Sequence, residues 1–127
     1  ATRHESGDLD LIRQAVDAMK ENLGDMNAFL NHDYNFHLHI AQASRNQILI
    51  EITRGIQDML KKTQEYVLRQ SDSIHHRSLT FHTKIFKAIQ KGQPELAGKH
   101  MFDHIEDIEG EMYTILKQAN KDESVAN

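Results

Sequence analysis

Apolar residues recur at three- and four-residue spacing along almost the whole chain, and only short polar breaks interrupt them. No stretch shows the strict two-residue alternation and β-branched enrichment of a strand. The usual punctuators are scarce: there are six glycines and one proline, Pro94. The pattern therefore predicts an all-α fold, with long helices folded back on one another as an antiparallel bundle. At 127 residues, 39% of them hydrophobic, the chain is long enough to bury one core and is expected to be one domain.

Five helices can be placed. Asp8 is expected to cap a first helix with inward positions Leu9, Ile12, Val16, Met19 and Leu23, stopped by Gly24. A second runs from about Met26 to Ser44, with Phe29, Leu30, Phe36, Ile40 and Ala43 facing inward. Ser44-Arg45-Asn46 reads as a break, with Asn46 or Ser44 as the next cap. The third runs from about Gln47 to Arg69, on a stripe of Ile48, Leu49, Ile52, Ile56, Met59, Leu60, Thr63 and Val67. Ser71-Asp72-Ser73 is a turn, and a fourth helix follows from about Ile74 to Gln90. Pro94 opens a fifth, to about Gln118, on Leu96, Ala97, Met101, His104, Ile105, Ile108, Met112 and Ile115. The polar residues from Asn120 onward are expected to fray, and the polar opening Ala1–Gly7 reads as cut rather than begun.

Composition removes several functions. Without cysteine there is neither a disulfide nor a thiolate metal site, which suits a reducing cytoplasm. No apolar run reaches the roughly 20 residues a membrane span needs, so no membrane role is expected. With a net charge of −4 and no basic block, nothing suggests direct contact with nucleic acid.

Four polar side chains break the apolar stripes. Asp33 and His37 are one helical turn apart, preceded by Phe29 and Leu30 and followed by Ile40 and Ala41, so both face inward. His82 shares a face with Ile85, Phe86 and Ile89; His104 lies among Met101, Ile105 and Ile108. A lone histidine on such a face is more often a hydrogen-bonded core residue than a ligand. Three imidazoles and a carboxylate sent inward from three helices can instead be satisfied together by one divalent ion. Imidazole plus carboxylate suits Zn²⁺ first, and also Ni²⁺, Mn²⁺ or Fe²⁺. The four donors would close a tetrahedron, or fill four sites of an octahedron and leave two open for an anionic oxygen donor. His100, one turn before His104, and Ser78, one turn before His82, are secondary candidates for contact with a bound effector. Arg45 and Arg54 are only weak anion partners, and His4, His32, His39, His75 and His76 read as surface residues.

Enzyme templates fail. There is no HExxH, no Glu-x-x-His pair and no glycine-rich phosphate loop, and Glu106, Asp107, Glu109 and Glu111 read as a solvated charge run.

The run D-x-x-F-H-x-x-I-A-x-A-S-x-N, Asp33 to Asn46, resembles the signature of the FCD domain, the C-terminal effector-binding domain of FadR-type regulators in the GntR family. Ser78, His82, Ile85, Ala88, Ile89 and Gly92, then Ala97, Met101, His104 and Ile105, resemble its second signature. The resemblance spans roughly Asp8 to Ile115. It implies a dimerising antiparallel bundle of six or seven helices, with Asp33, His37, His82 and His104 in the family's metal-ligand positions. It also implies a small carboxylate effector, such as a hydroxy acid or sugar acid. The subgroup that binds fatty acyl-CoA lacks the metal set, which argues against that ligand here.

Two departures accompany the likeness. The family's N-terminal winged-helix DNA-binding domain is absent from this sequence, so residues 1–127 are expected to be an effector-binding fragment that touches DNA only through that missing part. The helix that usually opens the family domain, with an effector-facing arginine, is absent too. The expectation is thus the sensing domain of a cytoplasmic, homodimeric transcription regulator, not an enzyme. Two rival readings are a metal-dependent, hydrolase-like enzyme using an open coordination position, and a plain helical bundle with no ion.

Overall fold

A computed structural model describes residues 6–71 and 73–126. Among them are five helices and no strand: α1 (Ser6–Glu21), α2 (Met26–Ala43), α3 (Gln47–Gln70), α4 (Ile74–Gln90) and α5 (Pro94–Ala126). Residues 1–5, including His4, lie outside the described residues, as do Asp72 in the expected turn and the side chains of Ile56, Met59 and Leu60.

Local chemistry sets the helix ends. The Asp25 carboxylate accepts from the Ala28 N–H at 3.1 Å and starts α2. The Asn46 side-chain oxygen accepts from the N–H groups of Ile48 and Leu49 at 3.0 and 3.2 Å and starts α3. Between them Arg45 takes a left-handed φ of 59°. The end of α4 is a Schellman turn: Gly92 has φ 68°, its N–H reaches Ile89 O at 3.0 Å, and the Gln93 N–H reaches Ala88 O at 2.8 Å. Pro94 then opens α5, where a missing N–H costs nothing.

Three expected boundaries need correction. The first helix begins at Ser6, so Asp8 is not its cap. Asp8 sits in the first turn, where a carboxylate suits the helix dipole, and accepts from Arg45 at 2.8 Å. That helix also ends at Glu21, ahead of Gly24, with the Asn22 amide donating back to Ala18 O at 2.7 Å. The fifth helix runs through the polar stretch to Ala126; polarity there marks a solvated face rather than an end.

α1 packs against α2 and α4, α4 against α5, and α2 against α3. The core lies among α1, α2, α4 and the start of α5, where Ile12, Met19, Phe36, Ile85 and Ile89 are almost fully buried. α3 stands at its edge. Of its expected inward stripe, Val67 is buried, whereas Ile48 is 72% and Ile52 50% exposed. Ile105, also expected inward, is 55% exposed. Periodicity identifies an apolar face but not the presence of a neighbour to cover it. α5 has 33 residues, about 50 Å at 1.5 Å per residue, against 16 for α1; its far half, with Tyr113 and Leu116 exposed, outruns its neighbours.

Two glycine substitutions should act in opposite directions. Gly92→Ala forces a Cβ into left-handed backbone and should destabilise by about 1 kcal/mol. Gly110→Ala lies within α5, with open space around it, and should stabilise by about 0.5–1 kcal/mol. Urea unfolding of both variants tests this; shifts of the same sign would contradict the described backbone.

Candidate metal centre

α2, α4 and α5 each bring an imidazole to one point. Ring nitrogens of His37, His82 and His104 lie within 4.8 Å of one another. His82 and His104 are 0% and 1% exposed, and His37 is partly buried. Across the α4–α5 seam the two Nε2 atoms approach to 2.9 Å. Asp33, one turn before His37, is buried beside them, with Oδ1 3.3 Å from His82 Nε2 and 3.6 Å from His37 Nε2. The Asp33/His37 spacing follows from the helix of α2, whose Phe29 and Phe36 are buried. Arg77 reinforces the seam by donating to Asp107 at 3.1 Å and lying 3.4 Å from Glu111.

The surroundings fix what these groups present. His82 Nδ1 lies 3.2 Å from the Met19 thioether. Sulfur only accepts, so this contact assigns the proton to Nδ1 and turns the Nε2 lone pair toward Asp33 and His104. Phe36 stacks on the His82 ring at 4.3 Å between centroids. His104 Nδ1 is buried with no hydrogen-bond partner among the described residues, so nothing outside the cluster accounts for a histidine there. Burial would raise the Asp33 carboxyl, but the neighbouring imidazoles, His37 foremost, hold it down at about 2. Burial also drives His82 well below 6.5, against the pull of Asp33. His104 falls to about 4, through burial and then His37, with Asp33 and Asp107 opposing. At neutral pH the centre therefore holds neutral buried rings and an ionised carboxylate.

That donor set fits a divalent cation. A lone pair facing a carboxylate oxygen at 3.3 Å is repulsive unless positive charge lies between them. Metal–nitrogen bonds of about 2.0–2.1 Å place neighbouring ligands roughly 3.0–3.4 Å apart, and the contacts at 2.9, 3.3 and 3.6 Å span that range. No cysteine competes.

The other candidates lie elsewhere or in secondary positions. His100 is half-buried on α5 and does not join the three converging rings. Ser78 is buried and lines a chamber on the far side of Asp33. Arg45 is tied to Asp8, and Arg54 lies 3.4 Å from Glu51, both on the surface. His39 Nδ1 is 3.2 Å from Gln42 Oε1, and His75 meets the Phe29 ring edge-on. A solvent-open cleft of about 900 Å³ reaches His37 and His104, with Gln57 and Gln64 of α3 on its wall. Met19 was legible only as a core position: its spacing marks it as buried and says nothing of the ring it supports.

Residues 1–107 match the FCD domain. The HTH-type transcriptional repressor NanR of Edwardsiella tarda is 25% identical over 115 residues, covering 89% of this chain and 44% of that protein. The repressors of the same name from Escherichia coli and Shigella flexneri are 25% identical over 114 residues, covering 89% of this chain and 43% of theirs. The chain thus spans less than half the length of these relatives. No helix among the described residues is long and apolar enough to cross a membrane.

The buried rings make an acid-sensitivity prediction. Unfolded, each titrates near 6.5; folded, His104 does so at about 4 and His82 lower still. As pH falls through 6.5 the unfolded chain takes up protons that the fold refuses, so stability is full above 6.5 and declines toward 4. The slope is up to about 1.4 kcal/mol per pH unit for each ring. Urea unfolding of the metal-free protein between pH 7 and 4.5 should show this decline, and His104→Gln should flatten it. An equally steep profile in that variant would show that the ring is not the acid-sensitive group.

Proposed function

Because the chain belongs to the FCD domain family, we propose that it is the effector-sensing domain of a transcription regulator, binding one divalent ion and a small carboxylate. The observation that carries this reading is the convergence of three ring nitrogens within 4.8 Å, beside a carboxylate, in an otherwise apolar core. Asp33, His37, His82 and His104 would hold the ion, Zn²⁺ by preference, with Ni²⁺, Mn²⁺ or Fe²⁺ as alternatives. Bound there, the ion supplies a positive charge that an anionic oxygen can meet from the cleft.

The chain's own residues do the rest. Met19 holds the His82 tautomer and Phe36 holds its plane. Gln57 and Gln64 give the cleft a polar α3 wall. α3 contributes little buried side chain to the core, so a ligand gripped between it and α5 changes the packing of a loosely held element. In the longer protein that shift would alter how paired DNA-binding domains are spaced. The homodimer, the winged-helix domain and the cytoplasmic setting belong to this proposal, which the repressor relatives support.

Metal analysis after mild purification should find about one divalent ion per chain. Chelation should lower the thermal midpoint and added Zn²⁺ or Ni²⁺ restore it; an ion at a hundredfold its dissociation constant adds about 2.7 kcal/mol. His82→Ala or His104→Ala should abolish the restoration. A screen of small carboxylates should raise the midpoint only in the metal-loaded protein. A protein without stoichiometric metal, indifferent to chelator and to added ion, refutes the proposal.

A further inference from the structure

Beside the donor cluster lie two cavities with a common wall. The open cleft ends at His37 and His104. The second, a chamber of about 370 Å³, lies on the other side of Asp33 and is lined by Phe29, Leu30, Val67, Ile74 and Ser78. Gln64, Ile108 and Met112 border both. The chamber is therefore continuous with the cleft past the Gln64 amide.

The two spaces differ in what they tolerate. No described residue lining either one is lysine or arginine. The chamber's only charged group is Asp33, held ionised at neutral pH. An anionic head placed there would be repelled and unpaired. The cleft end, by contrast, faces the imidazoles of His37 and His104. Phe29, Leu30, Val67 and Ile74 are buried and offer an incoming group only hydrocarbon. Ser78 and Gln64 supply the few hydrogen bonds, too few for a chain of hydroxyls. The volume is at the low end of the roughly 300–1,000 Å³ typical of ligand pockets.

Resting on the sensor reading above, we infer that the effector is a monocarboxylate with a short aliphatic tail. Its head lies at the His37–His104 end of the cleft. Its tail passes Gln64 into the chamber beside Asp33 and Ser78. A polyhydroxylated acid is disfavoured, because each hydroxyl entering the chamber would lose water without finding a partner.

The test uses the zinc-loaded chain and three acids with the same 2-hydroxycarboxylate head: glycolate (head alone), 2-hydroxyisovalerate (branched tail) and gluconate (hydroxylated chain). Zinc content is measured first. Calorimetry should then show 2-hydroxyisovalerate binding about tenfold or more tightly than glycolate, since burying a few tail carbons is worth at least that factor. Gluconate should bind no better than glycolate. Val67→Phe should fill the chamber and bring the two simple acids within about twofold, with zinc content unchanged; Val67→Leu makes the same comparison if the phenylalanine form does not fold. Gluconate binding as tightly as 2-hydroxyisovalerate, or a tail preference that survives both substitutions, overturns the inference while leaving the sensor reading standing. Zinc content near zero before any acid is added overturns the sensor reading, and the head placement with it.

Discussion

The contact between His82 and His104 organises this molecule. Two almost fully buried rings bring their Nε2 atoms to 2.9 Å across the α4–α5 seam, with an ionised carboxylate 3.3 Å from one of them. In a low-dielectric interior such groups are held together by a positive charge or they destabilise the fold. Burial keeps protons off both rings at neutral pH, so the charge is not readily supplied by protonation. What remains is a core with a built-in demand for a cation. Met19, Phe36 and the Arg77–Asp107 pair are arranged around that demand: one fixes a tautomer, one a ring plane, one the seam.

The histidines were readable because helical geometry is rigid. A four-residue spacing puts Asp33 and His37 on one face, and membership of an apolar stripe puts His82 and His104 inside. Five helices could be placed for the same reason, and Asn46 and Pro94 mark starts through side-chain chemistry that acts within three residues. What spacing cannot supply is the partner across the gap. Nothing in α1 pointed Met19 at a ring 63 positions away, and nothing in α4 told whether Ser78 would meet solvent, ion or cavity. The exposure of Ile48 and Ile52 has the same origin. Their periodicity is that of a buried face, and whether a neighbour covers it is a tertiary fact.

The misplaced helix ends follow a related rule. Asp8 and Gly24 carry the right chemistry for a cap and a stop, yet α1 starts two residues before one and ends three before the other. Asp8 is drawn into the long-range pair with Arg45, while the Asn22 amide already satisfies the Ala18 carbonyl. Gly92 behaves as its chemistry suggests because its left-handed backbone admits few other residues. Local signals decide an end when they are costly to replace, and yield when a side chain nearby can do the same work.

The centre and the cavities beside it are consistent with a sensor through one property of α3. Most buried side chains of the core come from α1, α2 and α4, and α3 adds Val67. Yet α3 supplies Gln57, Gln64 and Val67 to the cavity walls. A ligand can shift a conformational balance only by as much as it prefers one state. That preference is felt most where the protein's own packing is weakest. An element that lines the cavities while contributing little to the core meets that condition, whereas α4, clamped to α5 by the paired histidines and by Arg77, does not. The rigid part of the bundle thus holds the donors in place, and the loosely packed part is the one a bound acid can move.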